Sequence, residues 1–192
     1  ALKGIGQTLE QTKHLNELEL SGNDMTQALI IGNGSAGGRF FEALRKRGVS
    51  CTKVGSRQFD NQQVNALTKN VNLVIIASPA PCHIRHAKVA FSHGVRKIII
   101  EKPLCSYEPE QLVEAAAISE EMQSCVRIVY PFFLSSKLWR LKQLIDSAAA
   151  DEIQSVYLSS FSNIETWRPG RELSSTVSLS AKLGGGCLNE LS

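Results

Sequence analysis

The chain has 192 residues, 43% of them hydrophobic and 20% charged, with a formal net charge of +3 at pH 7. That length supports one generous domain, or one domain and part of another, in a protein of ordinary soluble composition without low-complexity tracts. The charge is spread out, with Arg45-Lys46-Arg47 the only basic run, and no apolar run approaches the roughly 18 residues of a membrane span, which argues against nucleic acid and membrane as partners.

Residues 1–26 read as an additional arm, helical or loose, in which Leu9, Leu15, Leu18 and Leu20 are only loosely periodic. Strands and helices then alternate, the pattern of a doubly wound parallel sheet. The first unit is a strand over 28–32 and a helix over 36–47 closed by Gly48. A second strand runs through Cys51 to Val54, and a weak helix follows around Asn61 to Thr68. Leu73 to Ala77 form the third strand, interrupted by Ser78-Pro79-Ala80-Pro81, and a helix over 82–93 is capped by Gly94. The fourth strand, Ile98-Ile99-Ile100, is apolar enough to be buried on both faces and delivers Glu101-Lys102-Pro103 at its end. Pro109 opens a helix over 110–123, and a fifth strand, Val126 to Tyr130, ends at Pro131. Residues 27–131 are thus predicted to be a Rossmann-type α/β domain.

A helix from Lys137 to Ala148 leads out of it. From Ile153 the residues Ile153, Ser155, Tyr157, Ser159 and Phe161 alternate with a period near two, as in a strand of an antiparallel sheet with one solvated face. Residues 132–192 are therefore expected to hold the connecting helix and the incomplete start of an α+β domain. The five cysteines, Cys51, Cys82, Cys105, Cys125 and Cys187, are odd in number and far apart, which suits a reduced, cytoplasmic setting better than a disulfide framework or a zinc site. The first residues lack the features of a signal peptide. The chain has no initiator Met and stops at Ser192 just after a glycine-rich turn, the pattern of a fragment.

The chemistry concentrates at strand ends. After the first strand comes Gly32-Asn33-Gly34-Ser35-Ala36-Gly37, a G-x-G-x-x-G followed by Phe40, Phe41 and Leu44 at helical spacing. In a dinucleotide site Gly32 would allow the tight turn, Gly34 the approach of backbone to the pyrophosphate, and Gly37 close helix–strand packing, with the helix start holding the phosphates. At the end of the second strand, where NAD sites place an acid, the sequence reads Gly55-Ser56-Arg57. A hydroxyl and a guanidinium suit a 2′-phosphate, so NADP is preferred over NAD, and Asp60 is the residue that would reverse the preference. The small residues Ala77-Ser78-Pro79 end the third strand beside the expected pyrophosphate and ribose. His83 and His86, one turn apart, have no acid or cysteine at ligand spacing on their helix, so no metal is expected there.

Four motifs together resemble the Gfo/Idh/MocA family of nicotinamide-dependent sugar and cyclitol oxidoreductases. They are the Gly32–Gly37 loop, Ile76-Ala77-Ser78-Pro79-Ala80-Pro81-Cys82-His83, Glu101-Lys102-Pro103, and Leu183-Gly184-Gly185-Gly186-Cys187-Leu188-Asn189-Glu190. The resemblance covers residues 27–192 and implies carbohydrate metabolism, with Lys102 assisting proton transfer at the reacting hydroxyl or carbonyl. Glu101 then orients Lys102, contacts the nicotinamide ribose or forms a plain ion pair, Pro103 is a candidate for a cis bond, and His83 contacts cofactor or substrate or caps its helix. Glu190 stands at the family's catalytic Asp position, while the family's histidine would fall beyond Ser192. Trp167-Arg168-Pro169-Gly170-Arg171 is similar to a subgroup of capsule and lipopolysaccharide sugar pathways, making Trp167, Arg168 and Arg171 candidates for binding a sugar acid or nucleotide sugar. Tyr130-Pro131-Phe132-Phe133 departs from the family's Tyr-Asn-x-Arg-Phe. The rival reading is an NAD(P)-binding protein without catalysis, or an inactive fragment lacking the histidine. The family pairs subunits through the sheet of the second domain, so a homo-oligomer is implied only for a chain that completes that sheet.

Overall fold

Ala28-Leu29-Ile30-Ile31 and Leu73-Val74-Ile75-Ile76 have no polar face to turn to water, so both sides of each must be covered. In the computed structural model, which describes residues 27–61, 64–106, 108–130, 135–147 and isolated positions between 153 and 186, they lie side by side within one parallel sheet. Its strands are β1 (Gln27–Ile31), β2 (Ser50–Val54), β3 (Leu73–Ile76), β4 (Ile98–Glu101) and β5 (Val126–Val129), in the order β2-β1-β3-β4-β5. The helices between them are α1 (Ser35–Lys46), α2 (Ser56–Asn61), α3 (Val64–Thr68), α4 (His83–Ser92), α5 (Pro109–Ala116) and α6 (Glu120–Cys125), and α7 (Ser136–Ser147) follows β5.

Alternation along each strand sorts the core into two layers. Leu29, Ile31, Val74, Ile76, Ile98 and Ile100 pack with Phe59 of α2, Ile84, Ala87 and Ala90 of α4, and Met122 of α6. Ala28, Ile30, Leu73 and Ile75 face the other way, against Phe40, Phe41 and Leu44 of α1. Helices therefore cover both faces, and each fully buried Ile or Leu contributes roughly 1.5–3 kcal/mol. The doubly wound Rossmann-type α/β sheet read from the sequence is the observed fold.

The register places the site. Ile31 pairs with Val54 on one side and Ile76 on the other, and Ile76 pairs with Ile100. All strands run the same way, so their carboxyl ends share one edge carrying Gly32, Gly55, Ala77 and Lys102. The chain leaves β1 towards β2 and returns on the far side of β1 as β3, so the crevice between the ends of β1 and β3 is the topological switch point where open α/β sheets bind ligands.

Two helices differ from expectation. The weak helix expected around Asn61 to Thr68 is present as α3 over Val64–Thr68, and a further helix, α2, precedes it from Ser56, because Phe59 turns into the core at 1% exposure. The helix expected over 110–123 is two: Ser119 accepts the Met122 N–H at 3.3 Å and starts α6, with Glu120 and Glu121 in its first turn. This is a serine N-cap with acidic residues at the positive end of the helix dipole. Ile153 to Ser155, Tyr157 and Ser159 lie in neither helix nor strand, and Tyr157 is 88% exposed, so the strand expected from Ile153 does not form at these positions. A strand needs a partner to satisfy its ladder, and no neighbour supplies one there among the described residues.

Candidate functional site

Two of the loop glycines are dictated by their neighbours and the third is not. Gly32 has φ +135°, a conformation that L side chains rarely adopt, and a Cβ there would lie 2.2 Å from the Ala77 carbonyl oxygen. Its N–H donates to the Val54 carbonyl at 2.7 Å, and the Ala77 N–H donates to Ile31 at 2.8 Å, so Gly32 is clasped between the ends of β2 and β3. A Cβ on Gly37 would meet the Gly32 carbonyl oxygen at 2.0 Å, which presses α1 onto the turn. Gly34 has ordinary extended angles, φ −74° and ψ −176°, and no described atom lies within 4 Å of its missing Cβ. It opens α1 without a side-chain cap, so Ser35, Ala36 and Gly37 begin a helix whose first N–H groups face outward at its positive end. Asn33 reaches across to Gly55, its Nδ2 lying 3.0 Å from where a Cβ would stand.

At the end of β2, Ser56 and Arg57 form the first turn of α2, Arg57 exposed. Asp60, one turn on, is engaged: Arg85 Nη2 donates to its Oδ2 at 3.0 Å and His86 Nε2 to its Oδ1 at 3.1 Å. Asp60 therefore faces α4 and not the strand end.

Behind Asp60 runs a buried polar chain that spacing in the sequence does not reveal. The carboxylate only accepts, so His86 Nε2 carries a proton, and in the neutral ring Nδ1 accepts from the Ser78 hydroxyl 3.0 Å away. The Ser78 carbonyl lies 2.7 Å from His83 Nε2, and His83 Nδ1 lies 2.8 Å from the Pro103 carbonyl. Exposures of 1% for His83 and 0% for His86 close both rings off from bulk solvent. The residues directly after Lys102 are also tied from α5: Ser106 N–H and Oγ both donate to Gln111 Oε1, and Gln111 Nε2 donates to the Pro81 carbonyl at 2.9 Å. The Lys102–Pro103 bond is cis, as the sequence suggested.

The carboxyl edge thus assembles Gly32, Asn33, Gly34, Ser35, Ala36, Gly37, Ser56, Arg57, Ala77, Ser78, Pro79, His83, Glu101 and Lys102 on consecutive strand ends. Trp167, Arg168, Arg171 and Glu190 lie outside the described residues. Sequence reading missed the roles of His86, Asp60 and Gln111. The available signal was two histidines on the same helix face as Ile84, Ala87 and Ala90, where an imidazole must find partners. Among the described residues, no three His, Cys, Asp or Glu side chains gather into a metal site, and no helix is long and apolar enough to cross a membrane.

Burial holds both imidazoles below the ordinary histidine value of 6.5, against the opposing pull of the Ser78, Pro103 and Leu104 carbonyls on His83 and of Asp60 on His86. The unfolded chain therefore takes up protons first as pH falls through 6.5, so stability present above that value is lost below it. The urea midpoint should drop between pH 7.5 and 5.5; a rise over that interval would contradict the burial of neutral rings.

No curated protein sequence matches the chain. Among similar solved structures, the WlbA dehydrogenase from Chromobacterium violaceum, in complex with NADH and UDP-GlcNAcA, has a TM-score of 0.50 at 15% identity over 65% of this chain. A mutant of KijD10, a 3-ketoreductase from Actinomadura kijaniata in complex with TDP-benzene and NADP, gives 0.49 at 19% over 63%. UDP-N-acetylglucosamine 3-dehydrogenase GnnA from Acidithiobacillus ferrooxidans gives 0.47 at 22% over 62%. The chain spans 41% of the first of these structures and 43% of each of the others. The family model of the Gfo/Idh/MocA oxidoreductases, with their NAD-binding Rossmann fold, matches residues 1–130, taking in the arm that the motifs leave out and ending ahead of the triple glycine. With the glycine loop, the switch-point crevice and the lysine turn on one sheet edge, and this match over most of its length, the chain belongs to the Gfo/Idh/MocA oxidoreductase family.

Proposed function

We propose that the crevice between β1 and β3 holds a nicotinamide dinucleotide and that the protein moves a hydride between it and a sugar-like hydroxyl or ketone carbon. Gly34 carries this reading. Its backbone angles suit any residue and its Cβ would meet no described atom, so the fold does not require glycine there, whereas a pyrophosphate resting on the loop does. The first N–H groups of α1 would hold that pyrophosphate. The small residues Ala77, Ser78 and Pro79 leave room for the ribose, and Ser56 with Arg57 would bind a 2′-phosphate. Asp60, occupied by Arg85 and His86, is not placed to accept from a 2′-hydroxyl, which favours NADP over NAD.

Bound there, the nicotinamide supplies or takes up the hydride. In reduction Lys102 donates the proton that the carbonyl oxygen needs as hydride reaches its carbon, and in oxidation it receives the hydroxyl proton. Glu101 orients Lys102 or meets the nicotinamide ribose. Glu190 would provide the carboxylate of the second half, and Trp167, Arg168 and Arg171 would bind an anionic sugar. The division into an arm (1–26), a cofactor domain (27–131) and the start of a substrate domain (132–192) belongs to the same proposal. WlbA, solved with UDP-GlcNAcA, is consistent with a nucleotide-sugar substrate. The free, widely spaced Cys51, Cys82, Cys105 and Cys125 suit a cytoplasmic protein. A binder without catalysis is the second reading, favoured by Pro131 and Phe133 where the family has Asn and Arg.

Fluorescence titration with NADPH and NADH tests the cofactor. NADPH should bind tighter, and Arg57→Ala should weaken NADPH about tenfold while leaving NADH unchanged, as loss of one charge-assisted phosphate contact does. Tighter binding of NADH would overturn the assignment of Ser56 and Arg57.

A further inference from the structure

The two contacts of His83 cannot both be hydrogen bonds in a neutral ring. Nδ1 and Nε2 each face a carbonyl oxygen, of Pro103 at 2.8 Å and of Ser78 at 2.7 Å, and carbonyls only accept. A neutral imidazole has one N–H and joins one of the two strand ends; an imidazolium has two and joins both. One of those carbonyls belongs to the residue that follows Lys102.

We propose that His83 is the positioning residue of the Lys102 turn, a buried clamp between the ends of β3 and β4 whose second proton closes the contact that the neutral ring leaves open. The assignment rests on the proposed function only for its consequence, the placement of the lysine over the crevice; the clamp itself is a property of the chain alone. A further anchor of this turn, Gln111 on Ser106, carries no titrating proton, so that contact does not change with the protonation of His83.

Among the described residues, the titratable and charged groups on the elements about His83 include Cys82 before it, His86 one turn along α4 with Asp60 and Arg85 beyond, Lys88 of α4 with Glu114 of α5, and Glu101 and Lys102 at the end of β4. His86 is the serious competitor, because charge on either imidazole opposes charge on the other. Its own contacts run to Ser78 Oγ and Asp60, not to the turn. A variant that removes only the proton of His83 therefore separates the two.

The experiment uses the 192-residue chain without cofactor, its lysines reductively ¹³C-dimethylated, which keeps their charge. The Lys102 signal is identified by its absence in Lys102→Arg, and the two histidines are titrated through their ring ¹⁵N shifts. In the wild type the Lys102 signal should shift as pH falls from 8, with its inflection at the pKa read for His83, and a His83 that stays neutral down to acid unfolding overturns the proposal. His83→Gln, whose amide still donates to a carbonyl but does not titrate, should lose that inflection. His83→Ala, if folded, should displace the signal at every pH, and His93→Ala on the exposed end of α4 should behave as wild type. A wild-type Lys102 signal without an inflection at the His83 value, or one that persists in His83→Gln, overturns the proposal. Failure of NADPH to bind would instead remove the proposed function and leave this result standing.

Discussion

Gly37→Ala should lower the stability of the chain by about 3 kcal/mol, at the upper end of what overpacking costs, while Gly38→Ala, the next residue of α1, should raise it by roughly 0.5–1 kcal/mol. Replacing glycine by alanine inside a helix ordinarily stabilises, because the backbone entropy of glycine is lost on folding. Gly38 meets that ordinary case, with no described atom within 4 Å of its would-be Cβ. At Gly37 the added methyl would sit 2.0 Å from the Gly32 carbonyl, and backbone cannot step aside as a flexible side chain does. Gly32 itself is held by φ +135° and by the Ala77 carbonyl, so helix, turn and two strand ends would have to move together. Urea unfolding of the two variants checks the sign, and equal effects at both positions would show that the helix is not pressed onto the turn.

Lys102→Ala should lower kcat by roughly 10²–10⁴-fold on nucleotide-sugar substrates, the range for loss of a positioned proton donor, while NADPH affinity stays within about twofold. Lys102→Arg should fail almost as badly, since a guanidinium keeps its protons at any working pH. The pattern separates the enzyme from a binder that only carries the cofactor. Turnover that survives Lys102→Ala would remove the lysine from the mechanism; loss of NADPH binding together with turnover would make it a cofactor contact.

The parts of the fold that were legible in the sequence are those set by local rules. Uninterrupted runs such as Leu73-Val74-Ile75-Ile76 read as strands covered on both faces, and Gly48 and Gly94 mark where α1 and α4 end. The glycine loop was legible from its spacing between a strand and a helix, although only Gly37 answers to a neighbour a few residues away, while Gly32 answers to Ala77 on the adjoining strand end. Helix starts were less so: Ser119 caps α6 inside a stretch whose composition suits one continuous helix, and α2 begins at Ser56 because Phe59 finds the core. The buried chain from Asp60 through His86, Ser78 and His83 to Pro103 was not legible. Its links span 26 and 20 residues of sequence; the packing of α2 and α4 on one face of the sheet makes the first, and the parallel register of β3 and β4 the second. A pair of histidines one turn apart, with no acid or cysteine at ligand spacing, speaks against a metal but does not name the hydrogen-bond partners the rings will find.

The central claim is that Gly34 is glycine for the sake of a bound dinucleotide, since at a helix N-cap with these backbone angles Ser, Asn or Asp would serve the fold at least as well. Gly34→Thr tests it most directly, by thermal melting and NADPH titration of the same preparation, because threonine has the bulk of valine yet ranks with glycine at a helix N-cap. The structure predicts a melting temperature unchanged within about 2 °C, since a surface substitution with no described atom within 4 Å of its Cβ moves stability by less than about 0.5 kcal/mol, together with loss of the saturable NADPH binding expected of the wild type. Wild-type protein that does not bind NADPH, or a Gly34→Thr variant that binds it equally well, would contradict the claim.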